Sequence, residues 1–299
     1  MQTPWGNFPV SDAHVHFFGR RFFDWLGGQC GKNAAEVAGA AGWDLPPEDP
    51  AEMARAWAAD LDEHGVGRAA LIASFPGDEG SVAAALAACP GRFHGYFMLD
   101  PLQDDAAARV RAALAAGLRA VCLFPAMHRY SVNDPRIRPV FEEAAAARAA
   151  VFVHAGVLTV GVRRKLGLAS PFDMRYSNPI DLHPVALRYP DTPFLIPHFG
   201  AGYLREALML ADLCPNVFLD TSSSNSWMRY EGIGLKEVFR RALDAVGAGR
   251  LLFGTDSSFF PRGWNYEIFE RQTLTLMDLG ISGADARLIL GENLERVFS

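Results

Sequence analysis

Eight short apolar runs punctuate the chain: PVSDAHVH (9–16), RAALIAS (68–74), FHGYFML (93–99), RAVCLF (119–124), AVFVHAG (150–156), PFLIPHFG (193–200), NVFLDTS (216–222) and RLLFGTD (250–256). Runs this short that stay apolar on consecutive positions read as strands buried on both faces. Between them the period lengthens. Leu204, Ala207, Leu208 and Ala211 fall at i, i+3, i+4 and i+7, one helical stripe, and the tail repeats it with Leu290, Leu294, Val297 and Phe298. The Ala-rich stretches 81–88, 105–116 and 141–150 favour helix by intrinsic propensity. Strand–helix alternation repeated eight times over about 250 residues predicts a single (β/α)8 TIM-like barrel, with residues 1–299 as one domain and any site at the C-terminal rim of the strands. An open doubly wound sheet would carry a glycine-rich phosphate turn, and neither G-x-G-x-x-G nor a P-loop follows any run. Two connections are long, 17–50 after the first run and 156–179 after the fifth. Long loops at strand ends in a compact domain are usually binding loops or lids.

Composition narrows the functions. Half of the 299 residues are hydrophobic, enough for a large core, and 28 basic against 34 acidic residues leave a net charge of −6. Without a block of Lys and Arg, no nucleic acid is expected as a partner. The start, MQTPWGNFPV, has no signal-peptide pattern, and no uncharged apolar stretch approaches the roughly 20 residues that span a bilayer, so no membrane association is expected. Cys30, Cys89, Cys122 and Cys214 are scattered without a C-x-x-C pair and read as reduced thiols of a cytoplasmic protein.

The polar residues inside the apolar runs carry the chemistry. Alternation along a strand puts His14 and His16 on one face, roughly 6.5–7 Å apart. Both rings can reach one ion at about 2.0–2.1 Å, although the pair alone fits equally well as hydrogen-bonded residues at a barrel mouth. His154 ends the fifth run, His198 the sixth and Asp256 the eighth. A closed barrel brings all of these ends to the same rim, and together they point to a metal.

The set DAHVHF, VFVHAG, IPHFG, LLFGTDSS and LGENLERVF resembles the amidohydrolase superfamily, in particular its amidohydrolase-related (amidohydrolase 2) branch. That branch includes aminocarboxymuconate-semialdehyde decarboxylase and resorcylate-type decarboxylases beside many hydrolases. The resemblance extends from about residue 10 to 298. It implies that His14, His16, His154 and Asp256 are metal ligands and that His198 handles protons or polarises the substrate beside the metal. Binuclear relatives use a lysine at the end of the fourth strand, where this chain has Cys122. One divalent metal is therefore expected. Nitrogen-rich ligation suits Zn2+ best, with Mn2+ as an alternative. An open site of this kind activates water, with Asp256 as its base.

The expected activity is metal-dependent hydrolysis of a small-molecule substrate that is carboxylate-bearing or aromatic; the alternative is a non-oxidative decarboxylase using the same mononuclear site. Arg20, Arg21 and Arg262 are candidate carboxylate clamps. Phe17, Phe18, Trp25, Phe259, Phe260 and Trp264 flank the rim as candidate pocket walls, Trp264 being named with the arginines as a substrate residue. Asp220 reads as support for a histidine. Arg163, Arg164, Lys165 and Arg175 read as a solvated face or subunit contact, and the resemblance allows a homodimer. His64, His94, His128 and His183 read as structural.

Overall fold

The computed structural model describes residues 1–158, 160–170, 172–222 and 227–299. Eight parallel strands follow one another around a sheet in chain order: β1 (Ser11–Phe17), β2 (Arg68–Ala73), β3 (Phe93–Leu99), β4 (Ala120–Leu123), β5 (Ala150–Val153), β6 (Phe194–Ile196), β7 (Val217–Asp220) and β8 (Leu251–Leu252). Each coincides with one of the eight apolar runs. Most strands are shorter than their runs, while β3 spans its whole run and β1 extends one residue beyond it. β8 then meets β1. Ala13 N–H donates to the Phe253 carbonyl and His16 N–H to that of Ser257, both at 2.8 Å, and Val15 bridges Ser257. These contacts bring the two edges of the eight-stranded sheet together. An antiparallel pair, Gln2–Thr3 with Gly6–Asn7, precedes the barrel.

The barrel interior is filled by small and large side chains in alternation, Ala13, Ala70, Ile72, Tyr96, Cys122, Phe152 and Leu195 among them, and Leu294, Val297 and Phe298 join it from the C-terminal helix. Burial pushes the Cys122 thiol well above its ordinary range, so it is an uncharged core residue. β1 departs from strict alternation. Its pairing with β2 slips by one residue between Asp12 and Val15, a β-bulge. Ala13 thus faces the interior while His14 and His16 also face the barrel mouth, an arrangement that period-two reading cannot give.

Helices fill the connections where caps allow. Pro50–His64 starts on the Asp49 side chain and stops at Gly65, whose φ of 71° is left-handed. Its Met53, Ala54, Trp57 and Leu61 are buried. The stripe at 204–211 forms the helix Leu204–Leu213, with Leu208 only partly covered. The tail is not one regular helix. A wider turn over Leu288–Glu292 leads into Asn293–Val297, and the buried Asn293 amide donates to the carbonyls of Ala248 and Leu251, both at 2.8 Å. The two long connections carry helices Arg20–Gly28, Ala34–Ala41 and Gly161–Lys165. The later one is laid over the earlier: Arg163 Nη1 donates to Gln29 Oε1 at 2.8 Å and Lys165 Nζ to the Ala41 carbonyl at 2.5 Å. Among the described residues no helix is long and apolar enough to cross a membrane.

Candidate metal centre

His14 and His16 are each fixed from behind. His14 Nδ1–H donates to Asp220 Oδ2 at 2.6 Å, and Asp220 Oδ1 accepts Ser222 N–H at 2.7 Å. Ser74 Oγ donates its single proton to the Ile72 carbonyl, so it accepts from His16 Nδ1–H at 2.8 Å. When the rings are neutral, both Nε2 atoms are left as lone-pair donors facing forward. They lie 3.5 and 3.1 Å from the same atom, Asp256 Oδ1. The ligand atoms of His14, His16 and Asp256 all fall within 4.8 Å of one another. Two imidazole lone pairs aimed at a carboxylate require a cation or a shared proton between them. Nitrogen and oxygen donors oriented by hydrogen bonds on their far side fit a divalent ion.

His198 stands beside them, its ring 4.9 Å from that of His14. Its Nδ1 meets the Ser222 carbonyl at 3.0 Å, which leaves Nε2 unprotonated when the ring is neutral. The turn Pro197–Gly200 that carries it is left-handed at His198 and Phe199 (φ 55° and 52°), and Asp256 has φ 56°. Non-glycine residues rarely adopt this conformation, and its concentration at these two side chains marks backbone shaped around the site. Gly156 makes room for the turn: a Cβ there would lie 2.2 Å from the Gly200 oxygen. Gly254 does the same behind His14, where a Cβ would lie 2.6 Å from Asp220 Oδ1.

The electrostatics follow this packing. Burial works against protonation of His14, but the Asp220, Asp256 and Asp12 carboxylates outweigh it and raise its pKa to about 9. Burial alone would raise Asp256, yet His16, His14 and His198 hold its carboxyl well below the usual range. His16 and His198 are lowered chiefly by burial, and His154 is pushed well down by burial and by the neighbouring imidazoles.

The sequence candidates separate on inspection. His14, His16, His154, His198, Asp256 and Arg262 all line one cavity of about 900 Å³. His154 stands outside the tight trio. It stacks on Phe124 at 5.3 Å and lies edge-on to His198 at 5.4 Å, with its buried Nδ1 unpartnered. Arg20, Arg21 and Trp264 do not line the cavity. Arg20 lies 3.8 Å from Glu48, Arg21 reaches the buried Asp78 at 3.4 Å, and the Trp264 indole donates to Asp12 Oδ2 at 2.8 Å beneath the site. Among the aromatic candidates Phe18 and Trp25 line the cavity; Phe17, Phe259 and Phe260 pack elsewhere. Arg163 and Lys165 lie in the cavity wall, as does His128. Periodicity carries no signal for the path of the 156–179 connection. Asp12, Ser74 and Ser222 also went unread, since their partners come from other strands.

A sequence profile described as Amidohydrolase matches residues 11–299. A 5-carboxyvanillate decarboxylase from Sphingomonas paucimobilis superposes with a TM-score of 0.66 at 16% identity, over 98% of this chain and 99% of that one. A probable 2-pyrone-4,6-dicarboxylic acid hydrolase from Acinetobacter baumannii, solved with citric acid bound, gives 0.65 at 15% identity over 97% and 99%. Protein fluG of Emericella nidulans is 35% identical over 85 residues, which are 28% of this chain and 10% of that protein.

Proposed function

The chain belongs to the amidohydrolase family, and we propose that it is a metal-dependent hydrolase of a small carboxylate-bearing or aromatic substrate. The observation that carries this reading is the meeting of His14 Nε2, His16 Nε2 and Asp256 Oδ1 in the wall of a large cavity. These three residues would hold one divalent ion, with His154 the next donor in the same wall. Zn2+ suits the nitrogen-rich set best, with Mn2+ the alternative. Such an ion supplies Lewis acidity, polarising a substrate oxygen and acidifying water.

The remaining steps belong to the chain. Asp256, held ionised by its histidines, accepts a proton from the attacking water. Neutral His198 offers its Nε2 lone pair to relay that proton to the leaving group. Phe18, stacked on His16 at 4.9 Å and on Phe22 at 4.2 Å, presents an aromatic wall to a flat substrate. Asp256 is the only acid among the described lining residues, whereas Arg163, Lys165 and Arg262 contribute three cations. This excess favours an anionic substrate.

The same excess supports a second reading, non-oxidative decarboxylation, the activity named for the Sphingomonas structure. There Arg262 would pair with the departing carboxylate, and His198 Nε2, having first taken a proton from water, would pass it to carbon as CO2 leaves. The test begins with metal content in the protein as purified and after reconstitution with Zn2+ or Mn2+. A panel of esters, lactones and aromatic carboxylates then follows, with proton release and CO2 release measured separately. One bound equivalent and proton release without CO2 is the expected result. CO2 release moves the assignment to a carboxy-lyase, and protein that never holds metal overturns both.

A further inference from the structure

The carboxylate of Asp12 lies fully buried beneath the candidate centre, and among the described residues it is held by hydrogen-bond donors and not by a salt bridge. Four donors converge on it. Oδ1 accepts the backbone N–H of His14 at 2.8 Å and that of Thr255 at 3.1 Å; Oδ2 accepts Thr255 Oγ1–H at 2.5 Å and the Trp264 indole N–H at 2.8 Å. A carboxylate is acceptor-only, so Thr255 must give its proton to Asp12. Ser257 Oγ–H then donates to Thr255 Oγ1 at 2.5 Å, and Ser257 Oγ in turn accepts Asn265 N–H at 2.8 Å. The protons run in one direction, from Asn265 through Ser257 and Thr255 to Asp12.

This network joins the two pieces of chain that supply the trio. On one side it grips β1 at the bulge that aims His14 and His16 into the mouth. On the other it grips Thr255 and Ser257, the two neighbours of Asp256, whose own backbone is left-handed. β8 ends at Leu252, and beyond it the pairing with β1 continues through two 2.8 Å bonds, from Ala13 N–H to the Phe253 carbonyl and from His16 N–H to the Ser257 carbonyl, and through the Val15–Ser257 bridge.

We propose that Asp12 is a positioning residue that sets the separation of Asp256 from His14 and His16, and so tunes the cation affinity of the trio. The inference rests on reading that trio as the ion's holder. Asp12→Asn keeps the shape but turns one acceptor into an N–H2 group facing existing donors. Thr255→Val removes one donor to Asp12, and Thr255→Ser returns it.

The probes are Zn2+ in competition with a chromogenic chelator and the visible spectrum of the Co2+-loaded protein. D12N and T255V are expected to weaken Zn2+ binding roughly tenfold or more, the usual cost of losing a group that orients ligands, and to alter the Co2+ band. T255S is expected to match the wild type in both. If D12N does not fold, the comparison of T255V with T255S decides. Variants with lowered melting temperature but wild-type Zn2+ affinity and Co2+ spectrum would make Asp12 a fold element only and overturn the inference. Wild-type protein that binds neither ion overturns the metal reading itself, and the inference with it.

Discussion

Gly254→Ala puts the geometry behind His14 to a direct test. The new Cβ would stand 2.6 Å from Asp220 Oδ1, 3.0 Å from His14 Cβ and 3.2 Å from Ser222 Cβ. Gly254 does not have a positive φ, so the substitution acts through space alone and not through backbone strain. Asp220 must retreat by about 0.7 Å to regain ordinary contact. Its 2.6 Å bond to His14 Nδ1 would then stretch beyond the usual hydrogen-bond range. A buried charge-assisted bond of this kind contributes roughly 1.5–3 kcal/mol, so urea unfolding should show a loss of that order. Zn2+ affinity should fall roughly 10- to 100-fold, since His14 loses the group that orients it. Gly249→Ala serves as the control, because its Cβ would meet only Arg296 Nη2 at 3.8 Å. A G254A protein with wild-type stability and wild-type Zn2+ affinity would show that the His14–Asp220 contact yields freely, and would refute the reasoning.

Three other outcomes are expected. His198→Ala should keep its metal while kcat falls roughly 10²- to 10⁴-fold; loss of a second metal equivalent in elemental analysis would contradict a mononuclear centre. Asp78 is buried, and burial raises its pKa from 3.8 to about 6 against the pull of Ser81 and Arg21. A carboxyl raised in the folded state favours folding when protonated, so this contribution is full below pH 3.8 and is lost as pH rises to about 6. Asp78→Asn should therefore gain up to about 3 kcal/mol on the wild type between those limits, and urea midpoints that run parallel at both pH values would exclude the effect. Cys122→Ala should leave metal stoichiometry unchanged and cost about 1–2 kcal/mol of stability through the small void left in the barrel, whereas loss of metal would assign the thiol to the centre.

The strands were legible because a parallel barrel buries both faces of each one, so eight apolar runs stand out without any partner being known. His14, His16, His198 and Asp256 were legible for a related reason: a polar side chain that ends an apolar run has to face the rim. What escaped depends on neighbours from other strands. The bulge in β1 is a matter of register with β2, which no single run encodes. Asp220 could be read as support for a histidine, but only the folded ring shows that the histidine is His14. Arg20, Arg21 and Trp264 lie close in sequence to the site and belong to its frame, whereas Arg163 and Lys165 belong to the cavity wall through a connection whose course follows specific contacts with Gln29 and Ala41.

The bond from Thr255 to Asp12 joins positions 243 residues apart. Bringing such distant segments together costs a flexible chain about 5 kcal/mol in configurational entropy, and contacts of that span form late in folding. Until they form, the early histidines have no Asp256 opposite them, so a half-folded polypeptide lacks the trio that the proposed ion would need. Once the ring is complete, an ion held there as proposed would shift the equilibrium towards the finished barrel in proportion to its occupancy, and would act as a lock on the last step of assembly.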